Sequence, residues 1–290
     1  MDMQRSFSMC LYPITLNVKR KGSEVREPVT VSCGKCLECL SKYSTEWAFR
    51  IYLESQQYDE CIFLTLTYNS ENLPENGTLC RRDVQLFIKR LRSAISPKKI
   101  RFFYCGEYGS KRKRPHYHII IFNFSPSDKK FFKRVDGIDY YNSDFISDLW
   151  SYYKDVVEDG KKVRKKFSKG FILFSDVTLD SAKYSAKYMQ KLQKVPKGCD
   201  RPFIGMSNRP GIGYYSIDLK YLDSDSIYIN GKRIQVPRYF LKVLERAGFD
   251  FTDFHNARIA RGELFGNNLE ERRKKAQEFL KSSKILLTKS

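Results

Sequence analysis

The chain has 290 residues, of which 41% are hydrophobic and 14% aromatic, and this is enough apolar material for one large domain or two smaller ones. The 53 Lys and Arg residues outnumber the 33 Asp and Glu residues, so the net charge of +20 predicts a polyanionic partner such as nucleic acid, the alternative being a solvated basic surface. No apolar run approaches the roughly 20 residues of a membrane helix, and the N-terminus lacks the apolar core of a signal peptide, so we expect a cytosolic protein without a membrane partner.

A Cys-rich stretch opens the chain. Cys33, Cys36 and Cys39 form a C-x-x-C-x-x-C pattern, which is one ligand short of a closed tetrahedral zinc site, and Cys10 is the candidate fourth ligand. The alternative is a group of buried free thiols, whereas the chain length and the missing signal peptide argue against disulfides. A helix is predicted directly after the cysteines, over residues 42–57.

The next segments alternate between strand and helix patterns. "CIFLTLTYN" (61–69) alternates in polarity and predicts a half-buried strand, while the apolar residues of "RRDVQLFIKRLRSAI" (81–95) fall at helical spacing. "KIRFFYCGEYG" (99–109) and "HYHIIIFNF" (116–124) are rich in aromatic and β-branched residues, so they predict two strands that form a hairpin through the basic loop "SKRKRP".

The second half of the chain gives similar signals. They predict a short helix in 142–153, a hairpin at the Asp-Gly of 156–167, a strand in 170–178, a helix in 179–193, a hairpin at the Asn-Gly of 226–236, and helices near 237–247 and 268–285. This order lacks the regular alternation of a doubly wound parallel sheet. The predicted class is therefore α+β, with a central antiparallel sheet flanked by helices.

Two of the three histidines, His116 and His118, lie one residue apart at the start of a predicted strand. Strand side chains alternate between faces, so the two imidazoles share one face about 7 Å apart and can converge on one ion. If the hairpin closes as predicted, the carboxylate of Glu107 stands beside them. Two nitrogens and one oxygen suit Mn²⁺ and tolerate Mg²⁺ or Zn²⁺. The alternative is a pair of histidines that merely titrate or form hydrogen bonds.

Tyr184 and Tyr188 lie four residues apart in a predicted helix and so share one helical face. Such a pair is often part of a core, but Lys183, Lys187 and Lys191 make this helix strongly basic and favour one that faces phosphate. A tyrosine hydroxyl has a pKa of about 10, so it needs a cationic setting or a metal-polarised electrophile to act as a nucleophile.

Taken together, these motifs resemble a known family. A strand with His-x-His and an upstream acid, followed by a helix with Tyr-x-x-Lys-Tyr, resembles the HUH endonucleases, specifically the rolling-circle replication initiators of small single-stranded DNA phages. "CGKCLEC", "LTLTYNSENLP", "GEYG", "RPHYHIIIF", "YSAKYMQK" and "RPGIGYY" occur in the order found in gokushovirus initiators of the Microviridae. The resemblance covers residues from about 10 to 245, and its specificity lies in the order of the stretches.

The resemblance implies a ferredoxin/RRM-like topology, with an HUH endonuclease domain at 59–198 between a Cys-rich segment and helix (1–58) and a C-terminal hairpin and helical region (199–290). It implies that His116, His118 and Glu107 bind Mn²⁺ or Mg²⁺, and that Tyr184 and Tyr188 are nucleophiles with Lys187 between them. Tyr117, an aromatic residue between the histidines, is a mild departure from the family pattern.

The implied activity is sequence-specific nicking and joining of single-stranded DNA at the viral origin through a 5′-phosphotyrosine, which initiates rolling-circle replication in the cytoplasm of the bacterial host. Host polymerase and helicase are the implied partners. The alternatives are a non-catalytic protein that binds single-stranded or origin DNA, a plasmid relaxase, and an HUH transposase. The residues expected to contact DNA, for which solubility alone is the competing explanation, are Lys111, Arg112, Lys113, Arg114, Lys183 and Lys191.

Overall fold

A computed structural model describes residues 10–19, 24–109, 112–178, 181, 195–217, 226–229, 232–252, 256 and 269–288. The chain divides into two compact units, one formed by residues 47–216 and the other by residues 1–46 together with 217–290. The division into segments 1–58, 59–198 and 199–290 stays a proposal.

The secondary structure of the described residues follows one chain order. Its elements are β1 (Ile14–Lys19), β2 (Arg26–Val31), α1 (Leu37–Ser55), β3 (Cys61–Thr67), α2 (Arg81–Ala94), β4 (Arg101–Tyr108), β5 (Pro115–Phe122), β6 (Lys130–Val135), β7 (Ile138–Asn142), α3 (Asp144–Leu149), β8 (Ser151–Glu158), β9 (Lys161–Ser168), β10 (Ile172–Asp176), β11 (Phe203–Met206), β12 (Ser226–Ile229), β13 (Lys232–Gln235), α4 (Arg238–Arg246) and α5 (Leu269–Thr288).

A seven-stranded antiparallel sheet forms the centre of the 47–216 unit. Its strands lie in the order β11, β4, β5, β3, β10, β7, β6, and separate two-stranded hairpins pair β1 with β2, β8 with β9, and β12 with β13. The predicted α+β class with a central antiparallel sheet is therefore confirmed, as are the hairpin of β4 with β5 and the amphipathic helix α2.

Apolar side chains cover both faces of the sheet around β3. On one face, Leu64 and Leu66 pack in a core to which α2 contributes Phe87. On the other face, Phe63 packs in a second core with Trp47 of α1. The expectation of a half-buried strand is therefore wrong for β3, because α1 covers the face that was expected to meet solvent.

The structure differs from the sequence prediction at three further places. Helix α1 begins at Leu37 and not near Lys42, since the Leu40 amide already donates to the Cys36 carbonyl at 3.0 Å. The strands β1 and β6 were not predicted, because all their residues are exposed and no core face imposes an alternation of polarity. The helix predicted over 179–193 lies outside the described residues, except for residue 181.

Within the described part of the chain, no helix is both long enough and apolar enough to span a bilayer.

Candidate active site

The hairpin of β4 and β5 aligns an acid with a histidine. Gly109 and Arg114 close its loop, with the Gly109 amide donating to the Arg114 carbonyl at 2.9 Å. The resulting register sets Glu107 directly opposite His116 and Cys105 opposite His118. Because directly opposed residues of an antiparallel pair project to the same face, the acid and both imidazoles lie on one side of the sheet.

The side chains of Glu107, His116 and His118 converge closely. The Oε1 atom of Glu107 lies 2.7 Å from Nε2 of His116 and 3.3 Å from Nε2 of His118. The three candidate ligand atoms all lie within 4.8 Å of one another. The imidazoles therefore present the same nitrogen to one carboxylate oxygen, and this arrangement can enclose a small cation.

The other nitrogen of each ring has its own partner. Nδ1 of His116 donates to the Arg114 carbonyl at 3.1 Å, because a carbonyl oxygen can only accept. Nδ1 of His118 lies 3.0 Å from the hydroxyl of Thr65, its direct neighbour on β3. A neutral imidazole protonated at Nδ1 keeps the Nε2 lone pair for a metal, and such partners orient the ligand ring. The donor set and its supports thus fit a divalent cation.

Glu107 is ionised at neutral pH although it is only 3% exposed. Burial by itself would raise the pKa of this carboxyl group, but the hydrogen bonds and charge of His116 and His118 outweigh burial and lower the pKa to about 2. A buried carboxylate beside two imidazole nitrogens is a strong oxygen ligand for a cation.

A hydroxyl network on the opposite face supports the strand between the two histidines. Tyr117 is fully buried, and its hydroxyl lies 2.8 Å from the Tyr68 hydroxyl, accepts from the Cys80 amide at 2.8 Å and donates to the Cys80 carbonyl at 2.9 Å. Tyr68 donates to Asp83 at 2.7 Å. Burial raises the pKa of both phenols, so they stay protonated and serve packing and not catalysis.

Comparison with known proteins identifies the family. The replication-associated protein VP4 of Bdellovibrio phage phiMH2K is 34% identical over 257 residues, which cover 80% of this chain and 75% of that protein. The chain belongs to the microviral replication-associated protein family. Residues 61–193 of this family member match a family profile described as replication-associated protein ORF2.

Two further relatives support the assignment to the microviral family. The replication-associated protein ORF4 of Chlamydia phage 1 is 32% identical over 78% of this chain and 57% of that protein, and ORF2 of Spiroplasma virus 4 is 30% identical over 81% of this chain and 76% of that protein. No solved structure matches the chain significantly. The resemblance to microviral replication initiators is confirmed, and with it a role in phage DNA replication.

The remaining predicted site residues of this replication-associated protein fall into two groups. Arg112 and Lys113 are exposed at the tip of the β4–β5 hairpin, whereas Arg114 is half-buried and donates to the Tyr68 carbonyl at 3.0 Å. The expected nucleophiles and several expected DNA contacts lie outside the described residues: Tyr184, Tyr188, Lys187, Lys111, Lys183 and Lys191.

The four cysteines of the N-terminal pattern come together in the other unit. The sulfur atoms of Cys10, Cys33, Cys36 and Cys39 lie within 4.8 Å of one another, and all four are free thiols. Burial by itself would raise the pKa of Cys33, but backbone amides donate to its sulfur and the pKa falls to about 7. The choice of Cys10 as the fourth member of this cluster agrees with its position.

Sequence reasoning missed two residues on the metal-site face. One is Thr65, the partner of His118, although its place on the strand alternation was known. The other is Phe171, which is 70% exposed and exchanges backbone hydrogen bonds with Thr67 at 2.9 and 3.2 Å. Since Thr67 is paired with His116, the register aligns Phe171, Thr67, His116 and Glu107 in one row across four strands or their ends. An exposed aromatic in a strand pattern was the available signal.

Proposed function

We propose that this protein is a metal-dependent, sequence-specific endonuclease and ligase that nicks single-stranded DNA at the viral origin through a 5′-phosphotyrosine and thereby initiates rolling-circle replication. The observation that carries the proposal is the convergence of Glu107, His116 and His118 on one face of the sheet, in a member of a replication-associated protein family. A protein that only binds DNA has no need of this buried acid beside two oriented imidazoles.

Glu107, His116 and His118 would hold one divalent cation, Mn²⁺ or Mg²⁺. When bound, such an ion polarises a phosphoryl oxygen and draws off developing negative charge. The protein's own contribution is to fix the three ligands: the Arg114 carbonyl and the Thr65 hydroxyl orient the rings, and the neighbouring strands keep the carboxylate buried. Such preorganisation reduces the reorganisation needed when the substrate binds.

Tyr184 and Tyr188 are the proposed nucleophiles. The phenolic oxygen of one tyrosine forms a bond to phosphorus, the bond from phosphorus to the 3′ oxygen breaks, and that oxygen takes up a proton to become a 3′-OH. The chain then carries a 5′-phosphotyrosine, which keeps the energy of the phosphodiester for rejoining. Lys187 stabilises the phenolate or the phosphate. The second tyrosine cuts the regenerated origin after one round of synthesis.

The cellular setting of the proposed reaction is the cytoplasm of the bacterial host. The free 3′-OH primes host polymerase, and a host helicase opens the duplex ahead of it. The net charge of +20 supports a protein that draws a phosphate backbone towards itself from long range.

Phe171 is the proposed stacking platform for an unpaired base of the bound strand. Two inter-strand spacings separate it from His116, which puts the two backbones about 10 Å apart on the same face. The Thr67 hydroxyl and amide both donate to the Phe171 carbonyl, at 3.2 and 2.9 Å, so the residue is firmly held although its ring is exposed. Base stacking on such an aromatic is worth about 1–3 kcal/mol.

A nicking assay tests the proposed chemistry. Single-stranded circular origin DNA is incubated with the full chain and Mn²⁺, and we expect linear DNA and a protein–DNA adduct that survives denaturation. Chelation of the cation with EDTA is expected to stop adduct formation while DNA binding persists. The double variant Tyr184→Phe, Tyr188→Phe is expected to bind DNA and form no adduct.

Tyr153→Phe is the matched control for the tyrosine variants. Tyr153 is an exposed residue of the β8–β9 hairpin, and its variant is expected to form adducts at the rate of the unmodified chain. Adduct formation by the double variant would sink the assignment of the nucleophiles. Binding without any cleavage by the unmodified chain, whichever divalent cation is added, would favour the non-catalytic origin-binding protein.

Substitution of Phe171 tests the stacking platform separately. Phe171→Ala is expected to weaken binding of a single-stranded origin oligonucleotide by about 5-fold to 150-fold in fluorescence anisotropy, whereas Phe171→Trp should bind normally. Phe132→Ala is the control, because Phe132 is also exposed (57%) but lies on β6 at the far edge of the sheet. Equal losses in both alanine variants would contradict a specific role of Phe171.

A further inference from the structure

The cysteine cluster of the 1–46 and 217–290 unit takes no part in the proposed nicking reaction, yet it has the geometry of a metal site. The sulfur atoms of Cys10 and Cys36 are 4.0 Å apart, as are those of Cys33 and Cys39. Four thiolates at about 2.3 Å from a tetrahedral zinc ion lie about 3.8 Å from one another. A disulfide would need about 2 Å, so the spacing fits a shared ion and not a pair of bridges.

Backbone amides point at three of these contacts. The Leu11 amide donates to the Cys36 sulfur at 3.4 Å, the Cys33 amide donates to the Cys10 sulfur at 3.2 Å, and the Cys36 amide donates to the Cys33 sulfur at 3.3 Å. Such bonds spread the negative charge of thiolates, which a site with four of them requires. A group of neutral thiols gains much less from them.

The turn between the first two cysteines of the pattern is built for this convergence. Gly34 has φ +71°, a conformation in which a side chain is strained, and a Cβ there would meet no atom within 4 Å. The left-handed glycine lets the Lys35 amide approach the Cys33 sulfur at 3.5 Å beside that of Cys36. Backbone geometry and not side-chain packing therefore determines the need for glycine at this position.

The cluster also lacks the large side chains of an ordinary core. Its buried members are Cys10, Leu11 and Cys36, and the partly buried residues packed against them are Cys33, Cys39 and Ala276. One leucine and one alanine bury little apolar area, and small cores of this kind are commonly completed by a metal.

The C-terminal helix is fastened to the same cluster. Ala276 of α5 packs on the cysteines, and Arg273 Nε donates to the Leu11 carbonyl at 2.9 Å. Arg272 forms an ion pair with Glu38, the residue before Cys39. These contacts bring cationic residues of α5 beside the site, where they offset the negative charge of four thiolates around a divalent ion.

We propose that Cys10, Cys33, Cys36 and Cys39 bind one zinc ion as a structural site, and that this ion ties α5 to the N-terminal segment. The site is independent of the nicking reaction and of its divalent cation. Its ligands come from the start of the chain, from the Gly34 turn and from the first turn of α1, so loss of the ion releases three segments together.

Metal analysis of the full chain tests the site in a background where the other candidate metal site is removed. In a chain with His116→Ala and His118→Ala, we expect one zinc per chain after purification with added zinc and dialysis. Adding Cys33→Ser and Cys36→Ser should reduce zinc to a trace. The control pair Cys61→Ser and Cys199→Ser, at two free cysteines of the other unit, should keep one zinc.

Two measurements on the chain with intact cysteines keep the proposal testable even if the serine variant fails to fold. Replacement of zinc by Co²⁺ should give the visible bands of tetrahedral cobalt and a thiolate charge-transfer band. Strong chelation should increase hydrogen exchange in α5 severalfold while exchange in β5 stays slow.

Each result decides the question without reference to nicking activity. Zinc that persists in the Cys33→Ser, Cys36→Ser chain, or cobalt without thiolate bands, would overturn the site. Iron with inorganic sulfide in place of zinc would overturn the identity of the metal. Loss of zinc with unchanged exchange in α5 would overturn the structural role. A chain that binds zinc but never nicks DNA would refute only the proposed nuclease.

Discussion

Replacing Thr65 by valine tests whether the hydroxyl on β3 sets the metal affinity of the site. Valine has nearly the shape of threonine but removes the hydrogen bond of 3.0 Å to Nδ1 of His118, a residue that is only 6% exposed. Water has little access to replace the lost partner, so the ring loses its orientation and its preferred proton position. Removing such a partner typically lowers metal affinity about 10-fold to 100-fold, or about 1.4–2.7 kcal/mol.

The assay is the nicking rate of Thr65→Val as a function of Mn²⁺ concentration. The concentration that gives half the maximal rate is expected to rise by about 10-fold to 100-fold, and excess Mn²⁺ should restore the rate, because the ligands themselves are intact. Damage to the fold would lower the maximal rate at every concentration. Restoration by Mn²⁺ is therefore the readout that separates a positioning role from a purely structural one.

Thr67→Val is the matched control on the same strand and face. The hydroxyl of Thr67 donates to the Phe171 carbonyl at 3.2 Å and not to a histidine, so the Mn²⁺ dependence of this variant should match that of the unmodified chain. An unchanged Mn²⁺ dependence in Thr65→Val, or a rate that excess Mn²⁺ fails to restore, would refute the assignment of Thr65 as the group that orients His118.

Two stability predictions concern the surroundings of the site. Tyr117→Phe removes a hydroxyl that has partners at 2.8, 2.8 and 2.9 Å and leaves the backbone groups of Cys80 without it, so urea unfolding should show a loss of about 2–4 kcal/mol; a loss below about 1 kcal/mol would contradict the network. Gly170→Ala puts a Cβ 2.2 Å from the Thr67 carbonyl oxygen at φ +155°, and should cost about 3 kcal/mol or more. Gly160→Ala, at φ +75° in open space, should cost only about 1 kcal/mol in the same assay, and similar losses in both glycine variants would argue against the backbone contact.

Much of the fold followed from periodicity. The apolar spacing in α2 and the aromatic and β-branched runs of β4 and β5 predict these elements correctly, because each has a face that must be buried. The hairpin of β8 with β9 was found from Asp159 and Gly160, whose backbones adopt positive φ as an Asp-Gly turn requires. The exposed strands β1 and β6 carry no such constraint, so their pairing depends on contacts that a local pattern does not record.

The sequence alone determined that His116 and His118 share a face, because the alternation of a strand leaves no other arrangement for residues two apart. Only the tertiary structure decided that Glu107 meets them, since this depends on the register of the β4–β5 hairpin, and a shift of one residue would turn the carboxylate to the opposite face. The position of Phe171 beside the site depends likewise on the pairing of three strands that are far apart in the chain. Local chemistry is written in short stretches of sequence, whereas the meeting of distant residues requires the whole fold.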